Sequence, residues 1–525
     1  MGIPIKDERA LELESSKLDP SGPRARILQL VLLGLMTGLA YYVLVSLSLT
    51  PKSGLTYDVK GTRYGGPLTW PSRLFGLAHL SHGSRQLLFV FLMVALSCLW
   101  FGAIYIVRRD TRRSMTAIIV AGFGLFALVF VFTPSFMSRD IFSYIFFGRA
   151  MTVYHSNPFL LIPHARQSDI FYPLIGWKYN ASVYGPVFNY LSWLVTRIAG
   201  NNVAANVLGF KVMAFVFYSG CLPMVYWLTR RVTPGKENMA LAVTAWCPLL
   251  VMHTLGGGHN DVIMIALVLA GYLLYRKGYL LSGIVVVMVA SLVKIVGIFA
   301  LAPMVVLYVR DKQGAPLKRM IAAFAACVGV AVVLYLPFLQ TLKIFKTTRH
   351  MSTMYTTSSV PKLFSWLYVK VFGGAGKASA SLQLSANSRV HILFLGIAVI
   401  LGILLLIGVK DYRSMVLCAA ALVLVWVFTS TYILPWYLGM GLALAALTGW
   451  NITTGALIGA STIFTLYHIP GTSGGGPMFY LSIPLLLLFV IWAVVLGNST
   501  VRKSRWFIER ESETGDQEQL VSEEV

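Results

Sequence analysis

The sequence predicts an all-α integral membrane protein, a bundle of about fourteen helices that cross the bilayer. Its 525 residues are 57% hydrophobic and only 12% charged, with a mean hydropathy of +0.72, far more apolar than a soluble globular chain. Apolar runs of roughly 17 to 25 residues, the length needed to cross hydrocarbon, recur from about Arg26 to Gly497. Because a bilayer offers no partner to backbone groups, these runs must be helices, and a water-soluble enzyme is excluded.

Short basic clusters set the expected orientation, since Lys and Arg concentrate in cytoplasmic loops. Alternate crossings between these clusters place both termini inside the cell, in a multi-pass plasma-membrane protein. The clusters stand at residues 108–113, 230–236, 276–277, 310–319, 410–413 and 502–505. The predicted spans start near residues 27, 87, 115, 205, 238, 260, 279, 296, 318, 390, 414, 435, 452 and 478.

Long connections are expected on the outer face, at about residues 51–86, 135–204 and 339–389. Ordinary connections run to roughly 2 to 8 residues, so these long ones predict that the chemistry lies outside. The spans and loops divide the chain into a cytoplasmic segment 1–26, two spans with an outer loop 27–114, a core 115–338, an outer loop 339–389, C-terminal spans 390–498 and an acidic cytoplasmic tail 499–525.

Two apolar stretches in the outer segments are predicted to be juxtamembrane helices. As a span, Tyr184 to Ala199 would place the basic cluster at 230–236 outside, so an interfacial helix on the outer face fits better. Residues 141–150 are expected to lie flat on the bilayer as an amphipathic helix that holds Asp140 at its start.

The net charge of +23 resides in loops and not on one hydrophilic face, which favours anionic membrane lipids over nucleic acid as partners. The five cysteines lie inside apolar runs without CxxC spacing, so they predict neither disulfides nor a zinc site. We interpret them as small core residues.

The acidic residues narrow the search for a site. Five of the twenty lie in the N-terminal segment, seven in the tail, and four, namely Asp110, Glu237, Asp311 and Asp411, in cytoplasmic basic clusters. The outer face keeps Asp58, Asp140, Asp169 and Asp261. A charge at membrane depth costs about 2.5–3.5 kcal/mol, so the two at helix mouths, Asp140 and Asp261, are the functional candidates. Asp58 and Asp169, in loop interiors, are expected to have solvated structural roles.

Helix capping is the competing interpretation of both candidates. Asp140 precedes the expected helix 141–150, and Asp261 begins a helix after three glycines. His259 and Asn260 adjoin Asp261, and three adjacent polar side chains exceed what one cap requires.

Several motifs occur in a fixed order: Ser138-Arg139-Asp140 after a span, Tyr184-Gly185-Pro186 before a juxtamembrane helix, Thr229-Arg230-Arg231, His259-Asn260-Asp261, Ser291-Leu292-Val293-Lys294, and Ile433-Leu434-Pro435-Trp436-Tyr437. In order and sidedness the chain resembles the GT-C superfamily of polytopic glycosyltransferases. Over residues 115–310 and the 430s it is most similar to bacterial polyprenol-phosphomannose-dependent α-1,6-mannosyltransferases of lipoglycan synthesis. Two helices and a basic loop precede the acidic motif here, whereas the usual first-loop Asp follows the first span.

The resemblance implies a polyprenyl-phosphate-mannose donor, a glycan or glycolipid acceptor, and conversion of a β-linked mannosyl phosphate to an α-mannoside. The residues add a chemical reason: a sugar on a lipid phosphate already has a good leaving group, so one base and several cations suffice. We predict Asp140 as the catalytic base. The expected donor-phosphate and substrate-binding residues are Arg139, Tyr144, Arg149, Asn157, Tyr184, His259, Asn260, Asp261, Lys294, Arg349, His350, Trp436 and Tyr437.

Three of these have competing interpretations. Lys294 follows an apolar helix and could instead snorkel to the interface, and Trp436 with Tyr437 could form an interfacial aromatic belt.

Asp140 has no acidic neighbour in sequence, so we expect neither a metal nor a cofactor, with Asp261 as the residue able to overturn this.

Other classes of membrane protein remain open. A secondary transporter would place acidic residues midway along its spans, whereas Asp140 and Asp261 fall at predicted ends. A flippase, a noncatalytic subunit, and a GT-C enzyme with a glucose or arabinose donor are the further alternatives.

Overall fold

A computed structural model describes residues 22–51, 53–57, 66–310, 315–340, 354–373, 380–469 and 480–495. In these ranges the protein is a nearly all-α bundle. The helices are α1 Pro23–Ser48, α2 Trp70–Leu74, α3 His82–Val107, α4 Arg113–Val131, α5 Asp140–Thr152, α6 Pro186–Ala199, α7 Val203–Val232, α8 Glu237–Ala245, α9 Asp261–Arg276, α10 Leu280–Ser291, α11 Ile298–Arg310, α12 Pro316–Tyr335, α13 Val360–Phe372, α14 Ala380–Ile407, α15 Tyr412–Thr429, α16 Gly439–Leu447, α17 Ile452–Phe464 and α18 Ser482–Val495.

The predicted membrane character is confirmed at the level of individual helices. Each of the fourteen expected span starts lies in a helix or within four residues of one. Among the described residues seven helices are long and apolar enough to cross a membrane, or eight if the bent pair Glu237–Ala245 and Pro248–Gly256 is one span. Several others are shorter, so the number fourteen stays a prediction.

The basic loops gather at one end of the bundle, which we call the basic end. Lys236 Nζ donates to the carbonyl of Arg108 at 3.2 Å, Arg310 donates to the carbonyl of Val409 at 2.6 Å, and the Arg276 guanidinium lies 5.6 Å from the ring centre of Tyr412. Because α4 starts at this end, its last residues and Asp140 lie at the opposite end, which we call the site end.

A two-residue strand pair is the exception to the all-α prediction. Thr56–Tyr57 pairs antiparallel with Ser135–Phe136, and the amide of Met137 donates to the carbonyl of Leu55 at 2.7 Å. The Arg139 guanidinium lies 4.6 Å from the ring centre of Tyr57. This first loop therefore braces the turn that presents Asp140.

Helix α5 exists as expected, but its predicted position flat on the bilayer is wrong. Every residue from Asp140 to Ala150 is buried. Both faces are covered by the rest of the protein, since α6 packs along α5 and α7 also contacts it. The helix therefore belongs to the interior of the site end. Helix α6 is present too, at 14 residues, and its interfacial position stays a prediction.

The five cysteines are free, as predicted. Cys221, Cys247 and Cys418 are buried, which agrees with their expected core role, and Cys327 is half-buried. Cys98 is exposed on α3, so the core interpretation is wrong for this residue.

Candidate active site

A cavity of about 380 Å³ opens at the site end between the α5 segment and the pair α14 and α15. Its lining includes the polar residues Asp140, Asn180, Lys294 and Thr431, which we call the polar lining. The lining also includes the apolar residues Ile295, Val296, Phe394, Leu395, Ala398 and Trp426, which we call the apolar wall. The cavity thus offers both charged and apolar groups to a single ligand.

Asp140 is the carboxylate of this cavity. Its side chain is 11% exposed, and the indole Nε1 of Trp177 donates to its Oδ1 at 3.0 Å. Its backbone amide donates to Ser138 Oγ at 3.1 Å. Arg139, not Asp140, is the residue before the first helical turn, so the capping interpretation is wrong for Asp140.

Burial is the main influence on the charge of this group. Removal from water raises the pKa of Asp140 to about 6, against the opposing effects of the Trp177 hydrogen bond and the Lys294 ammonium, while the Asp261 carboxylate raises it further. A carboxyl with a pKa near neutrality is suited to accept a proton and later release it.

Asp261 and Lys294 form a buried ion pair beside Asp140. Lys294 Nζ donates to the two carboxylate oxygens of Asp261 at 2.8 and 2.9 Å. The ammonium also lies 4.4 Å from the ring centre of Tyr437. Lys294 therefore points into the bundle, and the snorkelling interpretation is wrong. Asp261 is likewise engaged by a cation, which capping alone does not explain.

The Tyr184-Gly185-Pro186 motif docks directly on the turn that carries Lys294. The Gly185 amide donates to the carbonyl of Val293 at 3.0 Å, and the Val187 amide to that of Leu292 at 3.2 Å. A Cβ on Gly185 would lie 1.8 Å from the carbonyl oxygen of Leu292. Only glycine allows this approach, which brings Tyr184 and Lys294 to the same cavity.

Substituting Gly185 should therefore disrupt the site and the fold together. We expect Gly185→Ala to destabilise the protein by about 1–3 kcal/mol or more, because the backbone of residues 292–293 must move. The measurement is thermal unfolding of detergent-purified protein alongside transferase activity. Gly220→Ala is the matched control, since a Cβ there meets nothing within 4 Å. Equal stability of the two variants would contradict the docking.

An aromatic layer lies behind Asp140. Tyr184 OH donates to Tyr144 OH at 3.4 Å, and Tyr144 OH lies 3.3 Å from His259 Nδ1. The same His259 Nδ1 is 3.9 Å from Asp140 Oδ2, and its ring stacks on Trp436 at 3.6 Å. Trp436 is therefore buried in the protein, and its assignment to an interfacial belt is wrong.

Comparison with known proteins shows which family the chain resembles. The family described as "Alpha-(1->6)-mannopyranosyltransferase, N-terminal domain" matches residues 60–310, which contain Asp140, Asp261 and Lys294. The chain is 26% identical to alpha-(1->6)-mannopyranosyltransferase A of Mycobacterium tuberculosis over 402 residues, which cover 73% of this chain and 75% of the relative. The chain resembles this mannosyltransferase family over just under half of its length. The protein of the same name from Corynebacterium glutamicum is 27% identical over 237 residues, 40% of this chain and 45% of the relative.

The chain is thus a membrane mannosyltransferase, as the motifs predicted. The family match ends at residue 310, so it includes Asp140, Lys294 and residues 177–184 of the cavity lining but not the lining residues on and after α14. The alignment with the Mycobacterium tuberculosis relative covers 73% of this chain, so that similarity extends beyond the residues of the family match.

Arg149 does not face the cavity of the mannosyltransferase, so its predicted role in phosphate binding is wrong. Its Nε donates to Asp169 Oδ2 at 2.9 Å, and its NH1 to Asn201 Oδ1 at 2.7 Å. Asp169 also accepts from Tyr154 OH at 2.6 Å and from the Phe171 amide at 2.9 Å. Asp169 is buried, so its expected solvated position is wrong, although its role is structural as predicted.

Two further predicted binding residues lie outside the cavity lining. Arg139 is exposed and packs on Tyr57. Asn157 holds a turn, since its Nδ2 donates to the carbonyl of Phe338 at 3.0 Å and its Oδ1 accepts from the Phe159 amide at 3.0 Å. Arg349 and His350, like Asp58, lie outside the described residues.

Of the remaining predictions, Tyr184, Lys294 and Tyr437 line the cavity with Asp140. Tyr144, His259, Asn260 and Trp436 lie one layer behind. Asp261 does not line the cavity itself but forms an ion pair with Lys294, which does. The structure thus gathers most of the acidic and aromatic candidates in one place.

Sequence reasoning missed several residues of the cavity lining and one buried lysine. Trp177 and Asn180 come from the loop before α6, and His391 comes from α14, one turn before Phe394 and Leu395. Lys211 was also missed: its buried Nζ donates to the carbonyls of Phe130, Thr133 and Pro134 and to Thr133 Oγ1 at 2.8–2.9 Å. A lysine inside the apolar run of α7 was the signal for it.

No group of three or more His, Cys, Asp or Glu side chains able to hold a metal ion occurs in the part of the chain that the structure describes. Asp261, the residue singled out as a possible ligand, has both oxygens on Lys294. Independence from metal stays a prediction, to be checked by activity in chelator.

Proposed function

We propose that this mannosyltransferase moves a mannosyl residue from polyprenyl-phosphate-mannose to a glycan or glycolipid acceptor, with inversion, on the outer face of the plasma membrane. The observation that carries the proposal is the lining of the cavity, which combines Asp140 and Lys294 with apolar residues of the turn before α11, of α14 and of α15. The names of the relatives support the mannosyl group and the α-(1→6) linkage.

The cavity chemistry favours a lipid-linked donor. Phe394, Leu395 and Ala398 follow His391 on one face of α14, a helix whose other residues are largely exposed along a membrane-spanning length. An isoprenoid chain fits this apolar wall, while a nucleotide would leave its polar groups unpaired there. The Lys294 ammonium donates two hydrogen bonds to Asp261, and its third N–H can donate to the donor phosphate.

Asp140 and Lys294 support a reaction by single displacement. Asp140 takes the proton of an acceptor hydroxyl as that oxygen forms its bond to C1 of mannose. The phosphate oxygen leaves with the electron pair of the broken bond and is stabilised by the Lys294 ammonium. Attack opposite the leaving group inverts C1, so a β-linked donor yields an α-mannoside.

The orientation rests on the separation of charge along the bundle. The basic end carries the loops 108–113, 230–236 and 410–413, and the cavity lies at the other end. By the positive-inside rule, the basic end faces the cytoplasm and Asp140 faces outward. Cysteine labelling of a site-end residue such as Tyr179→Cys in intact cells tests this orientation.

The donor is tested by radiolabelled mannose transfer in membranes that contain or lack this protein. We expect transfer from polyprenyl-phosphomannose and none from GDP-mannose once endogenous donor synthesis is blocked. The product should be sensitive to α-mannosidase. Transfer of glucose or arabinose from the matching polyprenyl phosphates in preference to mannose would overturn the donor assignment, and movement of lipid without sugar transfer would indicate a flippase.

The pH dependence of transfer should report Asp140. The base acts only when ionised, and its pKa is raised to about 6, so activity is present above pH 6 and is lost below it. We expect kcat/KM to fall about tenfold per pH unit below 6 and to level off above 7. A profile that is flat between pH 7 and 5, in protein shown to remain folded, would contradict the role of Asp140.

A further inference from the structure

Two buried histidines and one half-buried histidine extend from Asp140 into the site end, away from the cavity. We call His253, His259 and His468 the histidine cluster. The ring centres of His259 and His253 are 5.8 Å apart, and those of His253 and His468 are 5.5 Å apart. His259 starts the series because its Nδ1 lies 3.9 Å from Asp140 Oδ2.

The cluster contains buried nitrogens without partners. Within the described residues, the nitrogens His253 Nδ1, His259 Nε2 and His468 Nε2 make no hydrogen bond. The same is true of the side-chain oxygen and nitrogen of Asn260, which follows His259 in sequence. Buried polar atoms are nearly always satisfied, by protein or by ordered water. Ring nitrogens concentrated in this way are suited to bind internal water between the rings.

The direction of the hydrogen bonds around His259 sets its tautomer. Tyr184 OH donates to Tyr144 OH, which leaves the Tyr144 proton for His259 Nδ1. Nδ1 is therefore an acceptor on the side of Asp140, and Nε2 carries the proton on the side of the cluster. The stack on Trp436 fixes the ring plane, with the centres 3.6 Å apart and 23° between the planes.

The local backbone is also unusual at the second ring. His253 lies in a π-helical turn, Val251–Gly256, between the bend of the α8 segment and α9. Such turns are rare and are frequent at functional sites. The turn points His253 between His259 and His468, where it also contacts Trp436, with ring centres 5.1 Å apart.

We propose that the histidine cluster, with its bridging waters, is a relay that carries the acceptor's proton from Asp140 to the surface of the site end. The inference rests on the proposed role of Asp140 as base. The Tyr144 O–H turns away from His259 Nδ1, Asp140 gives its proton to the freed lone pair of Nδ1, and His259 releases one from Nε2 to bridging water. The same exchange passes a proton by His253 and His468 to solvent, and each imidazole ends with as many protons as it began with.

Asp140 needs such an exit while substrates fill the cavity. Its side chain is only 11% exposed, and the exposed part faces the substrates. Trp177, bonded to Oδ1, is a donor only and cannot take the proton. His259 is the neighbouring acceptor on the side away from the cavity. His468 is the last residue of the turn Thr465–His468 that follows α17 and is half-buried, so we assign the outlet to it.

The test removes the outlet and replaces it with a soluble base. We expect His468→Ala to lower the turnover of mannosyl transfer by about tenfold, and imidazole added at millimolar concentration to restore most of it. His164→Ala is the matched control, because His164 bonds Tyr172 Oη at 3.0 Å outside the cluster. Its activity should not respond to imidazole.

Two further measurements separate the possible failures. Turnover of the unaltered enzyme should slow in deuterium oxide, and the slowing should grow in His253→Gln. Loss of activity in His468→Ala without rescue, or no solvent isotope effect in the unaltered enzyme, would overturn the relay. If Asp140→Asn keeps full activity, the proposed base is wrong; if it is inactive and the histidine variants are not, only the relay is wrong.

Discussion

Replacement of Asp140 by Asn is expected to lower mannosyl transfer by about 100- to 10,000-fold, the contribution usual for a general base. In the unaltered protein the Trp177 Nε1 lies 3.0 Å from Asp140 Oδ1. The Asn side chain keeps an oxygen that can accept this N–H, so the loop should hold its position. It cannot take a proton from the acceptor hydroxyl. The measurement is radiolabelled mannose transfer from polyprenyl-phosphomannose in membranes.

Binding and folding serve as controls for this substitution. Donor binding should survive, because Lys294 and the apolar wall are unchanged. Asp411→Asn is the matched variant, since Asp411 caps α15 at the basic end, far from the cavity. Transfer at the rate of the unaltered enzyme in Asp140→Asn would disprove the mechanism, even though the family assignment would stand.

Replacement of Lys294 by Met is expected to cost both stability and activity. It leaves the buried Asp261 carboxylate without its partner, and breaking such a pair typically costs about 3–5 kcal/mol. It also removes the cation that we propose for binding the donor phosphate. Thermal unfolding of the purified protein and the rate of transfer measure the two effects.

A second substitution separates these effects. In the double variant Lys294→Met with Asp261→Asn, no unpaired charge remains, so stability should recover while transfer stays low. Lys178→Met is the control, because Lys178 lies on the ring of Tyr172 outside the cavity lining. Recovery of transfer together with stability would show that Lys294 acts only through folding.

The helices of this protein were largely predictable because hydrocarbon permits few alternatives. A run of apolar residues in a bilayer must close its own hydrogen bonds, and each predicted span start accordingly lies at a helix. Acidic residues were informative because an ionised carboxylate is also costly in hydrocarbon. Asp140 and Asp261 were costly at the mouths of helices, and both lie at the cavity or one contact from it.

Contacts between distant segments were not predictable. The sequence marked Arg149 and Asp169 as a possible phosphate ligand and a solvated acid, yet the two form one buried pair. A flat amphipathic helix was expected at residues 141–150, yet α6 and α7 cover it. In each case the outcome depends on which surface packs on the residue, and a local pattern carries no information on that.

The sequence by itself determined the membrane bundle, the charge difference between its ends, and the acidic and basic residues that cannot lie in a bilayer without a purpose, because these follow from the cost of transferring each group out of water. Only the tertiary structure decided which of them meet. The approach of Gly185 to the Lys294 turn, the pairing of Lys294 with Asp261, and the stacking of His259 on Trp436 join segments that are distant in sequence, 33 residues apart for Lys294 and Asp261 and more for the other two, and close packing alone selects such partners.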